Sequence, residues 1–266
     1  MEYLAPNSLR EALRLKNNTR KKRIYFAGGT ILNWRSSPSA DAIIDLKNLG
    51  LDDIKATKRT IRIGATATVQ DIAETPGMPD VLIKAALSFS SINIRNMATI
   101  GGNVASRFFV SDLIPVFLAY NAKIEYYSNS RRHKVLMSSW LQTRPGIICA
   151  VIIDAPGRHV GSQAERIAST DFPLTVSAIG FSLQTGRIKN TVIAVSGAGP
   201  VTIILKKTAG YITGIFPGNV DHKILSDTLK AELKTIGNIK ASSDIKFRLT
   251  YHSIKNIMSG LKKDLK

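Results

Sequence analysis

The sequence predicts an α+β protein organised in two domains, and three observations carry that prediction. Short apolar, β-branched runs recur between short amphipathic stretches through the first part of the chain. Two Gly-Gly pairs, Gly28-Gly29 and Gly101-Gly102, each follow an apolar, strand-like approach. Beyond Pro156-Gly157 and Gly161-Ser162 the pattern changes to two long strand-like runs and then helices. A chain of 266 residues is long enough for about two compact domains, each with its own core. The expected division is 1–158, in lobes of about 1–55 and 56–158, and then 159–266.

Each element has its own signal. Ser8-Leu9-Arg10-Glu11 has the S-x-x-E form of a capping box and starts a helix through Leu15, with Leu9, Ala12 and Leu13 on one face. Ile24–Phe26 is a short strand feeding the first glycine pair. Ala42–Asp45 and Thr60–Ile63 are further short strands in a βαβ-like rhythm. Helices follow over Val69–Glu74 and Pro79–Ser88, with Pro79 at a helix start, where its missing N–H costs nothing. The second glycine pair leads into a short apolar helix, Ser111–Ala119. Lys123–Tyr127 and Lys134–Met137 form a hairpin across Asn129-Ser130, and Ile147–Ile153 is a buried strand. Leu174–Leu183 and Ile188–Val195 pair antiparallel across Thr185-Gly186, and helices over Lys223–Ile236 and Ile245–Leu265 close the chain.

Composition narrows the function classes. Hydrophobic content of 44% and charged content of 21% are ordinary for a globular protein. No apolar run approaches the roughly 18 residues that span a bilayer. The start, Met-Glu-Tyr-Leu-Ala-Pro, has neither a basic n-region nor an apolar h-region, so a cytoplasmic location without membrane attachment is expected. Cys149 is the only cysteine. It excludes an intramolecular disulfide, and it excludes an iron–sulfur cluster held by this chain alone, which usually needs four thiolates. Within Ile147–Ile153 it reads as a small buried hydrophobe. His133, His159, His222 and His252 have no metal-ligand spacing, and no bound metal is expected.

The net charge of +18, with a pI near 10.1, is the unusual feature. Basic clusters occur at Arg20-Lys21-Lys22-Arg23, Arg131-Arg132-His133-Lys134, Lys206-Lys207 and Lys262-Lys263. No zinc finger, RNP-type aromatic strand or helix-turn-helix signature accompanies them, so no specific nucleic-acid role is expected. A solvated face, steering of an acidic partner and non-specific attraction of nucleic acid all remain open readings.

The chemistry lies in the glycine pairs. Glycine reaches φ > 0 without steric cost and lets a ligand approach the backbone, so two such loops can turn N–H groups toward one anion; a dinucleotide pyrophosphate is the obvious one. Either pair alone reads first as a turn or hairpin. Together they are more specific. Ala27-Gly28-Gly29-Thr30, then Ile43-Ile44-Asp45-Leu46, then Ile61-Arg62-Ile63-Gly64-Ala65, then Ile94-Arg95-Asn96-Met97-Ala98-Thr99-Ile100-Gly101-Gly102-Asn103 resembles the FAD-binding subunits of the molybdenum hydroxylases. That family includes the flavin subunits of xanthine dehydrogenase and the medium subunit of carbon monoxide dehydrogenase. Order and spacing match through residue 120 and more loosely from there to the C-terminus.

The resemblance implies a two-lobed FAD-binding domain of the PCMH type, then a small antiparallel-sheet-plus-helices domain, with FAD as cofactor. It assigns Ala27, Gly28, Gly29 and Thr30 to the diphosphate, with Ile31 and Leu32 continuing the wrap. Thr30 is also a candidate helix N-cap. Thr99, Gly101, Gly102 and Asn103 form the other half of the cradle, Asn103 offering a donor and an acceptor to flavin or ribityl oxygens. Arg95 reads as a strut that pairs with a carboxylate or carbonyl. Ser111-Asp112 falls at the family's Ser-Asp position; from the residues alone it is an N-cap pair, and in the family the Asp also reaches the cofactor. Ile148 falls on the strand that packs beside the isoalloxazine.

Three stretches depart from the family pattern. Ser106-Arg107-Phe108-Phe109-Val110 stands where the family usually has Ala-Asp/Ser-Pro. Arg166 stands for a family Lys near the flavin, where a cation would stabilise the reduced anion electrostatically. Asp171-Phe172-Pro173 only approximates the family's acidic residue. These departures fall where an acceptor such as NAD would approach.

The function implied is an electron-transfer subunit with no catalytic set of its own. A separate subunit holds molybdopterin, a small iron–sulfur subunit passes single electrons to FAD, and FAD delivers them to NAD or another acceptor. Two other readings compete. One is a free-standing flavin oxidoreductase, although no His occupies a glycine-loop position suited to covalent flavin attachment. The other is a basic protein that binds nucleic acid or an acidic partner and carries a degenerate FAD site.

Overall fold

The computed structural model describes residues 1–18, 20–34, 40–106, 108–154 and 156–263, with the backbone alone for Asn33, Trp34, Lys262 and Lys263. Arg107, the side chains of the Lys262-Lys263 cluster and the end of the last predicted helix lie outside the described residues. The chain runs β1 (Glu2–Leu4), α1 (Leu9–Asn17), β2 (Arg23–Phe26), α2 (Thr30–Trp34), β3 (Ala42–Asp45), β4 (Ile54–Ala56), β5 (Ile61–Gly64) and α3 (Val69–Glu74). It continues with α4 (Asp80–Leu87), α5 (Ile92–Arg95), α6 (Ile100–Ala105), α7 (Ile114–Ala119), β6 (Lys123–Ser128), β7 (Arg131–Leu136), α8 (Met137–Thr143) and β8 (Ile147–Ile153). Last come β9 (His159–Glu165), β10 (Thr175–Gln184), β11 (Arg187–Ser196), β12 (Ile203–Ile204), α9 (Lys206–Ile212), α10 (His222–Glu232) and α11 (Ser243–Lys263).

These elements form two units that are discontinuous in sequence. The first comprises Met1–Met78, Ser91–Ser106 and Ala122–Asp154; the second comprises Pro79–Ser90, Arg107–Asn121 and Ala155–Lys266. The sequence reading drew a single cut after residue 158.

The first unit holds two sheets. β1, β3 and β2 form a parallel sheet in the order β1-β3-β2, with α2 as the crossover from β2 to β3. Buried Ala12 of α1, with Leu9 and Leu13, packs on Ile44, Tyr25 and Ile147. α1 starts as its sequence requires, the Ser8 hydroxyl accepting the Glu11 N–H at 3.2 Å. The box does not close on Ser8, however: the Glu11 carboxylate accepts from the Asn7 N–H at 3.1 Å, one residue early. A reciprocal capping box occurs instead at α3, where the Thr68 hydroxyl accepts the Asp71 N–H and the Asp71 carboxylate accepts the Thr68 N–H.

The second sheet of this unit is antiparallel, in the order β4-β5-β8-β6-β7. β8 lies at its centre with all seven residues buried, which is why Ile147–Ile153 reads as an unbroken apolar run rather than an alternating one. The β6–β7 hairpin turns at Asn129 and Ser130, both at positive φ.

The second unit is built on an antiparallel sheet of order β12-β11-β10-β9. Ile179, Phe181, Ile193 and Val195 face Ile212, Leu225, Leu229, Ile254 and Ile257 of α9, α10 and α11, and this is the unit's main core. The six buried residues of α7 lie against β10 and β11. The Gly161-Ser162 pair, read from sequence as part of a break, lies inside β9. Glycine is needed there because a Cβ at 161 would stand 2.6 Å from the Ile257 side chain. Pro79 is not the first residue of its helix but the cap before Asp80. α7 begins at Ile114, three residues later than expected, because Ser111 caps it from outside.

Candidate functional site

The first glycine pair forms a turn between β2 and α2. β2 ends at Phe26, the chain turns through Ala27-Gly28-Gly29, and Thr30 opens α2 as its first residue rather than as its N-cap. Gly29 sits at φ +70, a backbone conformation that a side chain would strain. Gly28 is pressed against the second segment: a Cβ there would lie 1.7 Å from the Met97 carbonyl oxygen and 3.3 Å from the Ala98 Cα. Ile31 and Leu32 follow, half-buried, in the first turn of α2.

The second glycine pair is not a loop after a strand. Ile92–Arg95 is a turn of helix, and Gly101-Gly102 forms the first turn of α6. Thr99 is its N-cap, its hydroxyl accepting the Gly102 N–H at 3.2 Å. Gly101 donates to the Ala65 carbonyl at 2.7 Å, Ile100 to Ala67 and Asn103 to the Thr99 carbonyl. The backbone comes this close to Ala65 only because Gly101 lacks a Cβ, which would stand 2.8 Å from the Ala65 oxygen. The expectation that both glycine pairs present their N–H groups outward is therefore corrected, since those of Gly101 and Gly102 are used internally. Among the described residues, the N–H groups of Gly28, Gly29, Thr30 and Thr99 find no acceptor. Four unused donors on two touching segments are a donor set that fits a diphosphate.

Other predicted residues of this unit have clear places. Asn103 is half-buried on α6. Arg95 donates from Nε to the Gln70 side-chain oxygen at 2.8 Å, the strut its sequence suggested. Ile148 is buried on β8 and lies opposite Tyr126 of β6. Cys149 is buried too, and that burial pushes its thiol up to about 11, so it is inert at neutral pH.

Ser111, Asp112 and Arg166 come together in the second unit. The Ser111 hydroxyl accepts the N–H groups of Leu113 and Ile114, and its own N–H donates to the Ser196 hydroxyl at 2.9 Å. Asp112 caps nothing; its carboxylate takes an ion pair from Arg166 Nη2, and both side chains are buried. Arg166 Nη1 donates to the Ser88 carbonyl at 2.5 Å. Burial raises the Asp112 carboxyl to about 6, and the opposing pull of Arg166 only partly offsets it. The cation expected to act alone at the flavin thus has a carboxylate of its own. Asp171 is bound by Lys240 at 2.6 Å, and the Phe172 ring lies 4.9 Å from that of Phe108. Ser88, Ser196 and Met97 take part through a carbonyl, a lone hydroxyl and a close approach, none of which has a sequence signature. Among the described residues no group of three or more His, Cys, Asp or Glu side chains could hold a metal ion, and no helix is long and apolar enough to cross a membrane.

The first unit thus joins a parallel sheet that ends in a glycine turn, an antiparallel second sheet and four amide donors that are open among the described residues. Residues 1–153 match the family described as the FAD binding domain in molybdopterin dehydrogenase, and the chain belongs to that family. The uncharacterized protein YgfM of Escherichia coli K12 is 33% identical over 126 residues, 47% of this chain and 49% of YgfM. The nicotinate dehydrogenase FAD-subunit of Eubacterium barkeri is 28% identical over 200 residues, 67% of this chain and 66% of that one. The match thus spans about half the length of YgfM. A chain of the carbon monoxide dehydrogenase from Hydrogenophaga pseudoflava has the same fold, with a TM-score of 0.87 and 20% identity, covering 96% of this chain and 95% of that chain.

Proposed function

We propose that the chain is the FAD-binding electron-transfer subunit of a cytoplasmic molybdenum-hydroxylase complex. One observation carries the reading: Gly28 meets Met97, and around that junction four amide donors are open among the described residues, within the stretch that matches the family. When bound, FAD supplies the exchange between single electrons and electron pairs. The residues of this chain bind and orient it. Gly28, Gly29, Thr30 and Thr99 hold the diphosphate by backbone donors, while Ala27, Ile31, Leu32, Gly101 and Gly102 shape the cradle. Asn103, Ser111 and Asp112 serve as polar contacts, and Ile148 excludes water from the ring. Iron–sulfur and molybdopterin-containing subunits on separate chains are the partners, and NAD or another carrier is the acceptor. The lone buried thiol of Cys149 supports the view that iron–sulfur chemistry belongs to another chain.

The test is the visible absorption spectrum of the purified chain, followed by identification of the released cofactor. A flavin spectrum with FAD in the supernatant supports the reading, and co-purified molybdenum- and iron-containing chains support the assembly. A colourless protein that takes up no added FAD overturns it and favours a basic binding protein with a degenerate site.

A further inference from the structure

We propose that Arg166 is a positioning residue that fixes the orientation and ionised state of the Asp112 carboxylate, by tying it to the carbonyl of Ser88 at the end of α4. This rests on the reading of Asp112 as an FAD contact. The whole tie lies within the second unit.

Three chain segments converge on one guanidinium. Nη1 donates to the Ser88 oxygen at 2.5 Å and Nη2 to the Asp112 carboxylate, with side-chain exposures of 12% for Arg166 and 8% for Asp112. Ser88 closes α4, its own N–H donating to Lys84. The planar fork spans two acceptors on different segments, which a single ammonium does not do in the same way. Arg166 Nε is buried and without a partner among the described residues, so the guanidinium is turned to bridge rather than to grip one carboxylate through two parallel bonds.

The backbone at Asp112 is secured without Arg166. Ser111 N–H is held by Ser196, the Phe109 carbonyl accepts the Gly197 N–H at 3.1 Å, and the Ser111 hydroxyl caps α7. Arg166 therefore adds the direction and the charge of one side chain, not the course of the chain. Burial works against the ionised carboxylate, and the cation opposes burial. Among the described residues Arg166 is the one charged side chain acting on Asp112. Arg166 also acts on Asp171, which Lys240 holds.

The experiment follows FAD binding to the full apo chain by flavin fluorescence from pH 5 to 9 in wild type, R166Q and R166K. Carboxyl carbon-13 NMR reads Asp112 directly, its signal identified by its loss in D112N. In R166Q the Asp112 midpoint is expected to rise by at least about one pH unit. FAD affinity is expected to fall about tenfold at pH 7, with the loss shrinking toward pH 9 as the carboxylate ionises. R166K is expected to keep the midpoint near that of wild type while binding FAD several-fold more weakly. An unchanged midpoint in R166Q, or an FAD affinity lowered equally at every pH, overturns the proposal. If R166Q does not fold, R166K decides: wild-type affinity without the Ser88 bridge overturns the tie. A wild-type chain that binds no FAD overturns the functional reading, and the NMR midpoint in R166Q still decides the role of Arg166.

Discussion

Gly28 rests directly on the carbonyl of Met97, 69 residues further along the chain, leaving no space for even one carbon between them. That junction joins the two segments whose sequences resemble a diphosphate cradle. It makes glycine obligatory at 28 for packing, while the turn itself falls on Gly29 at φ +70.

Gly28→Ala is therefore expected to force the two segments apart. A Cβ at 1.7 Å from a carbonyl oxygen demands a backbone shift, with a cost of about 1–3 kcal/mol as for other overpacked sites. FAD affinity should fall at least about tenfold, because the segments that carry Gly29, Thr30 and Thr99 are pushed apart. Urea unfolding and flavin fluorescence titration read the two effects separately.

Thr99 ties the second segment through its hydroxyl, which accepts the Gly102 N–H. Thr99→Ala removes an N-cap and is expected to cost ~1 kcal/mol. Thr99→Ser keeps the oxygen and should recover most of that stability. FAD affinity measured in both variants should follow the same order; equal affinities in the two would sever the cap from the cradle.

Asp112→Asn leaves the Arg166 guanidinium buried and without its counter-charge. Because burial outweighs the ion pair at Asp112, the neutral isostere is expected to leave stability at pH 7 close to that of wild type, measured by urea unfolding. The pH dependence has a definite sign. The folded carboxyl sits at about 6, above its unfolded value, so the folded state takes up its proton first. Its contribution to stability is fully present below the unfolded value and is lost as pH rises through 6. Stability of the wild type relative to D112N should accordingly increase as pH falls from 7 through 6 toward about 4.

Glu125 provides the opposite case on the five-stranded sheet. Burial acts to raise its carboxyl, but Arg62 at 3.1 Å and Arg132 outweigh burial and hold it below the ordinary value. Its contribution is present above the unfolded value and lost as pH falls through the lower folded one. Glu125→Gln is expected to cost about 1–2 kcal/mol at pH 7, with wild type and variant converging below pH 4 or so. Two carboxylates in one molecule thus titrate with opposite effects on stability, a contrast that a single series of unfolding curves checks.

Much of this architecture is legible residue by residue. Val69–Glu74, Ala42–Asp45 and Ile147–Ile153 occupy the spans that their caps and β-branched runs specify. The two hairpin turns fall at Asn129-Ser130 and Thr185-Gly186, where left-handed backbone is needed. The short elements are not legible. β1 has three residues, too few to show a period, and exists because β3 offers it a parallel edge. β9 contains Gly161-Ser162, which reads as a break until α11 is seen to need the space above it.

The sequence by itself determined the α+β class, the glycine pairs, the apolar course of β8 and the resemblance that points to FAD, because these depend on local conformational preference and on order along the chain. Tertiary structure decided which amides stay open. The N–H groups of Gly101 and Gly102 are taken by Ala65 and Thr99, whereas those of Gly28, Gly29 and Thr30 find no acceptor among the described residues, and no local rule separates the two glycine pairs. It also decided that Arg166 meets Asp112, 54 residues away, and so carries a paired charge rather than a lone one. Such partnerships depend on which distant segments the cores bring together, and a hydrogen bond or ion pair forms only with the acceptor that packing delivers.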